Sequence, residues 1–185
     1  KDHARIQVVR AYAAYLAEPF ATATFDFYSK TLSGVEQQRD RWKRGVAVVE
    51  GALGEALGKL YVTKHFPSDA KHQAEQLVNN LRSAYRASFE DLDWMTPATR
   101  RAAAAKLEKI RTKIGYPDRW RDYGALQVEE GDLVGNLRRA AAFESRRERD
   151  KIGQPVDRDE WFMTPQTVNA YYSPTMNEIV FPAAI

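Results

Sequence analysis

The chain has 185 residues, 44% of them hydrophobic and 11% aromatic, which is enough for a sizeable core and excludes a disordered chain. Its 28 basic residues stand against 25 acidic ones, a net charge of +3, and the two signs are interspersed, so composition argues against a nucleic-acid surface. Cysteine is absent, which excludes disulfides, a thiolate nucleophile and cysteine-held zinc, and no run of about 18 apolar residues is present to span a membrane.

From the start of the chain, Ile6, Val9, Ala13 and Leu16 recur at helical steps and predict a helix over Arg5–Leu16, ended or kinked by Pro19. A second is predicted over Phe20–Leu32, with Phe25, Tyr28 and Leu32 on one face and Ser33-Gly34 as its stop. The longest runs from about Glu36 to about Lys64 and carries Trp42, Val46, Val49, Leu53, Leu57 and Leu60 on an apolar stripe. Its glycines at 45, 51, 54 and 58 each weaken a helix by about 1 kcal/mol relative to alanine. That loss makes sense where another helix or backbone comes close.

Ser68 or Asp69 caps the next helix after the Phe66-Pro67 break, and Ala74, Leu77, Leu81, Ala84 and Tyr85 fall in register along it. The short connection predicts antiparallel packing of the two long helices. Thr96-Pro97 reads as N-cap and first helical residue of a helix with Ala102–Ala105, Leu107 and Ile110 inward. Ile114–Asp118 then breaks into turn and extended chain, followed by an irregular connection anchored by Trp120 and Tyr123. Asp132 caps a last helix to about Lys151, with Leu133, Leu137 and Ala140 inward and Gly153-Gln154-Pro155 as its end. Beyond that point the apolar period shifts from 3.6 toward 2, which sets the one candidate domain boundary between residues 1–153 and 154–185. Thr167–Tyr172 and Glu178–Phe181, rich in β-formers, flank the turn residues Ser173–Asn177 and predict a β-hairpin. The expected fold is mainly α, a multi-helix assembly with a short C-terminal β-hairpin and strand confined mainly to the segment after Asp157.

His3, His65 and His72 are the only histidines, and none forms the i,i+4 pair that a helical zinc face requires. Glu55, Glu90 and Asp91 have no base or metal partner in the pattern and read as solvated helix positions or caps, and the basic stretch Arg138–Lys151, with one aromatic, Phe143, reads as a solvated helix face. The hairpin carries more. A free strand edge binds an extended peptide through main-chain hydrogen bonds. Alternation puts Asn169 and Tyr171 on one face and Ala170 and Tyr172 on the other; a small Ala170 admits a ligand backbone, and Asn169 offers both a donor and an acceptor.

The wording Val168-Asn-Ala-Tyr-Tyr, followed by Asn177-Glu-Ile-Val-Phe-Pro-Ala183, closely resembles the segment just upstream of the zinc-binding helix in the neprilysin-like zinc metallopeptidases, which include the endothelin-converting enzymes and bacterial oligoendopeptidase O. Arg41-Trp-Lys-Arg44, Gly51–Val62, Leu92-Asp-Trp-Met95 and Ile114–Asp118 resemble further landmarks of that family, so the likeness covers nearly the whole chain. It implies an interior piece of a zinc-dependent endopeptidase or oligopeptidase whose H-E-x-x-H helix follows Ile185. On this reading residues 1–153 belong to the family's helical domain with connecting elements, and residues 154–185 to the start of the catalytic domain. The resemblance implies substrate binding by Asn169, Ala170, Tyr171 and Ile185: the Asn and Ala hold the substrate main chain, and Ile185 lines the apolar pocket for the side chain after the cleaved bond. Zinc is expected in the full-length parent and not in these 185 residues, which alone are expected to be inactive. The expected partners are short peptides and the remainder of the same polypeptide, not nucleic acid, and the resemblance favours a cell-envelope, periplasmic or secreted location over a cytoplasmic one. The alternative from a different class is a non-catalytic helical scaffold or peptide-binding module.

Overall fold

The computed structural model describes residues 1–185 as six α-helices and three strands, which divide between two compact units. The first unit comprises Lys1–Leu53 and Asp122–Pro155. Helix α1 (Asp2–Tyr12) tightens into a 3₁₀ turn over Ala13–Tyr15. Pro19 sits in the first turn of α2 (Glu18–Thr24), where its missing N–H is harmless, so it opens this helix after the preceding one has already ended. Helix α2 runs on as a π-helical stretch, Phe25–Thr31, whose wide turn leaves carbonyls for the Thr31 and Ser33 hydroxyls to reach at Asp26 and Tyr28. Helix α3 (Arg41–His65) starts five residues later than the pattern predicts.

Helix α6 (Leu133–Asp150) is capped as expected, with the Asp132 carboxylate accepting from the Gly135 amide at 3.0 Å and from Arg139 at 3.0 Å. Tyr123 anchors the irregular segment by stacking on Phe143. The inward stripes are narrower than the sequence predicts. Ala140 is buried, but Leu133, Ile6, Val9, Trp42 and Val46 are exposed in this chain.

Leu53 leaves helical geometry at φ −135° and breaks α3, and Gly54 begins the second unit, Gly54–Arg121 with Val156–Ile185. The four glycines of α3 fall into two kinds. Gly54 and Gly58 are buried, and a Cβ on Gly58 would lie 2.7 Å from both Pro165 Cδ and Gln166 Oε1, whereas Gly45 and Gly51 face open space. The close neighbour is a loop, not a second helix. Helix α4 (Ser68–Ser88) lies closest to α5 (Pro97–Glu108) and to β1 (Arg111–Gly115), contrary to the antiparallel pairing expected with α3. It buries Val78 while Leu77, Leu81 and Tyr85 are exposed, so its apolar stripe points away from this unit's core. Helix α5 begins as predicted, the Thr96 hydroxyl accepting from the Thr99 amide with Pro97 next to it.

The sheet adds a strand the pattern did not show. Strands β2 (Tyr171–Ser173) and β3 (Glu178–Pro182) form the expected hairpin, with Asn177 in the left-handed region at φ 49° in its turn. Strand β1 pairs parallel to the other side of β3, giving the order β1-β3-β2. The register and the two-residue alternation put Arg111 and Lys113 of β1, Glu178, Val180 and Pro182 of β3, and Tyr171 of β2 on one face. That face is the centre of the core: Glu178 and Val180 are 0% exposed, and Trp161 is buried.

Candidate substrate-binding edge

Because β3 is central, β2 is an edge strand whose outer main chain has no partner in the sheet. The chain reaches it through a fixed turn. Pro165 is buried, the Thr164 and Thr167 hydroxyls are 2.9 Å apart, and the Thr167 amide donates to the Thr164 carbonyl at 3.0 Å. Gln166 Nε2 donates to the Gly54 carbonyl at 2.9 Å, seating the turn on the glycine face of α3. The sequence signal for this seat was the spacing of Gly54 and Gly58, one helical turn apart.

Asn169 and Ala170 therefore precede the strand proper, which begins at Tyr171 rather than at Thr167. The Asn169 side chain is exposed, and its Oδ1 accepts from the Ala170 amide at 2.8 Å. This bond uses the side-chain oxygen, so the group Asn169 has left to offer is its Nδ2 donor. Tyr171 faces the core side, where its hydroxyl accepts from the Phe162 amide at 3.3 Å and its ring lies 6.2 Å from the Phe162 ring. Burial pushes the Tyr171 phenol above its ordinary value of 10.0; the Phe162 bond opposes this, and the charges of Glu178 and Glu160 add to it. Tyr172, on the opposite face, donates to Asn177 Oδ1 at 3.1 Å.

The antiparallel register brings the start of β2 beside the end of β3, since Tyr171 is opposite Val180. Asn169, Ala170 and Tyr171 thus share one end of the sheet with Ala183–Ile185. The Ala184 amide donates to the Pro165 carbonyl at 3.0 Å and the Ala183 amide to the Gly115 carbonyl at 2.8 Å, which secures this end, and Ile185 is 64% exposed beside it. An edge with an exposed Asn169 amide and the small Ala170, sharing its end of the sheet with Ile185, can hold an extended peptide by its main chain.

No three His, Asp or Glu side chains converge where a metal ion could sit. His72 is exposed and paired with Gln76 one turn on, and the His65 ring lies 5.1 Å from that of Tyr61. A cleft of about 440 Å³ between α4 and β1 is polar, and its charges are largely paired within it or at its margin, Lys71 with Asp118 and Arg111 with Asp159 among them; none of Asn169, Ala170, Tyr171 or Ile185 lines it. The Arg111 guanidinium holds the Asp159 carboxyl below the usual carboxylate range. No helix is long and apolar enough to cross a membrane.

The family model described as peptidase family M13 matches residues 1–117. Over 97% of its length the chain is 36% identical to an endothelin-converting enzyme homolog of Locusta migratoria, covering 25% of that protein, and 33% identical to a neutral endopeptidase of Lactobacillus helveticus, covering 28%. Among solved structures it superposes on the zinc metalloprotease ZMP1 of Mycobacterium tuberculosis, in complex with an inhibitor, with a TM-score of 0.90 and 56% identity, over 97% of this chain and 27% of that one. The chain spans about a quarter of the length of these relatives.

Proposed function

Since this chain belongs to peptidase family M13, we propose that it is part of a zinc-dependent endopeptidase or oligopeptidase acting on short peptides, and that its own contribution is to hold substrate. The observation that carries the reading is the edge strand β2, which presents Asn169 and Ala170 on a securely seated turn at the same end of the sheet as Ile185. Support for the zinc chemistry comes from the relatives, since the fold and 56% identity are shared with a zinc metalloprotease. Zinc, when bound, would activate water for attack on a peptide carbonyl, and its ligands would come from residues other than these. Residues 1–153 then contribute to the helical cover of the substrate cavity, and residues 154–185 begin the catalytic domain. The remainder of the same polypeptide is the principal partner.

In this reading the Asn169 amide donates to a substrate carbonyl, Ala170 leaves room for the substrate backbone, Tyr171 orients the strand, and Ile185 lines the pocket for the side chain after the cleaved bond. In the full-length enzyme, Asn169→Ala is expected to lower kcat/KM toward several unrelated peptides by a similar factor, because a main-chain contact ignores substrate side chains. Loss of a partner for a buried peptide group costs about 1–3 kcal/mol, so the fall is on the order of 5- to 150-fold. Ile185→Ala is expected to change preference among side chains instead, with larger losses for bulky ones. An Asn169→Ala enzyme with intact kcat/KM and zinc content would refute the assignment.

A further inference from the structure

The buried pair Lys113–Glu178 has no role in the reading above. Lys113 Nζ lies 3.0 Å from Glu178 Oε1 and 2.9 Å from Oε2; the first is a directed hydrogen bond and the second a charge contact. The side chains are 7% and 0% exposed. Such a pair is a poor device for stability alone, because desolvating two charges offsets most of their attraction and well-packed apolar residues do as well or better. What the pair adds is direction.

Lys113 also donates to the Glu160 carbonyl at 2.8 Å, and two residues earlier on the same face of β1, Arg111 donates to the Arg158 carbonyl at 3.1 Å and to Asp159 at 2.7 Å. The two side chains alternate along β1 as the two carbonyls alternate along the segment 158–160, so the segment is held in register against the strand by side chains rather than by a ladder. It then continues across the core face. Trp161 is buried, the Phe162 amide donates to the Tyr171 hydroxyl, and Arg158 reaches the Met176 carbonyl in the hairpin turn at 3.2 Å. Residues 158–162 thus form a strap that starts on β1 and ends on the side chain of the first residue of β2, next to Asn169-Ala170.

We propose that Lys113, fixed by Glu178, is a positioning residue for substrate binding: it sets the strap, the strap sets Tyr171, and Tyr171 sets the orientation of the Asn169–Ala170 edge. This inference rests on the substrate-edge reading of Asn169 given above. Lys113 touches no substrate and acts only through the strap.

The test uses the full-length zinc-loaded enzyme. Lys113→Met alone leaves a buried carboxylate without its partner and need not fold, so the informative variant is Lys113→Met/Glu178→Leu, which removes both charges and the hook on the Glu160 carbonyl together. Misplacement of a binding edge weakens substrate and transition state alike, so KM is expected to rise between about 5- and 100-fold for unrelated peptides with kcat close to wild type. A purely structural role would lower the active fraction, reducing apparent kcat with KM unchanged. Lys113→Arg, which keeps a cation able to reach both Glu178 and Glu160, is expected to return KM to near wild type. If the strap acts through Asn169, the pair replacement adds little to the KM of an Asn169→Ala enzyme. An unchanged KM in the pair replacement, or a loss that multiplies in full with that of Asn169→Ala, overturns the proposal. A silent Asn169→Ala overturns the edge reading itself and this inference with it, so the two failures are told apart.

Discussion

Replacing Gly58 with alanine sets two opposed effects against each other at a site where the structure decides the sign. Helix propensity favours alanine by about 1 kcal/mol. Against this, the new methyl would lie 2.7 Å from Pro165 Cδ and 3.1 Å from its Cγ, where ordinary contacts are several tenths of an ångström longer. The pyrrolidine ring is rigid and fully buried, so it cannot turn aside. Overpacking of this kind costs about 1–3 kcal/mol. Displacing the Gln166 amide from the Gly54 carbonyl removes a further hydrogen bond, about 0.5–1.5 kcal/mol. The net expectation for Gly58→Ala is a loss on the order of 1–3 kcal/mol, whereas Gly51→Ala, with nothing near its added methyl, gains up to about 1 kcal/mol. Urea unfolding monitored by circular dichroism measures both, provided the m-value is unchanged. Because the clash has a named partner, Pro165→Ala in the Gly58→Ala background is expected to recover much of the loss, a coupling that independent sites would not show. A Gly58→Ala protein as stable as wild type, or a Pro165→Ala change that fails to rescue it, would show that the turn does not rest on this helix.

Three further outcomes follow from the caps and the core. Thr96→Ala removes the acceptor for the Thr99 amide and is expected to cost about 1 kcal/mol in urea unfolding, while Thr96→Ser retains it. The Gly135 amide, and then Arg139, hold the Asp132 carboxyl below its ordinary 3.8; its stabilising contribution is therefore complete above that value and is lost as pH falls through the lowered one. Asp132→Asn keeps the cap but is expected to remove this acid-limb dependence from melting temperatures recorded across the range. Lys113→Met alone is expected to destabilise by about 3–5 kcal/mol, and Lys113→Met/Glu178→Leu to lie much closer to wild type, which a pair of urea curves will show.

Elements that depend on neighbours in sequence were legible in it. The Thr96-Pro97 and Asp132 caps, the six helical segments and the hairpin turn all follow from local chemistry, and the structure shows each of them. Strand β1 was not legible, because its Arg-Thr-Lys-Ile-Gly sequence alternates charges that read as solvent-facing. Lys113 is buried only because Glu178 meets it from β3, 65 residues away, and a window along the chain contains no trace of that pairing. The same holds for the apolar stripes: periodicity showed that Leu77, Leu81 and Tyr85 share a face but not whether this chain covers it, and it does not. At the candidate edge, the residue wording located Asn169 and Ala170 but placed them inside a strand. The turn seated on Gly54 and Gly58 delays the strand to Tyr171, and that seat depends on a contact between positions 112 residues apart.

The order β1-β3-β2 also fixes a sequence of events during synthesis. The central strand is the last of the three to be made, so each residue of β1 waits for its partner in β3 while 67 further residues are added, as from Arg111 to Glu178, on the order of 3–13 s at ordinary elongation rates. The hairpin of β2 and β3 can close on itself as soon as it emerges, and β1 is then recruited across a long loop, the slow non-local step. During that wait β1 is an open edge of the kind that templates aggregation. Arg111 and Lys113, which the finished sheet turns to its own use, are side chains of the charged kind that keeps such an edge from pairing with the wrong neighbour.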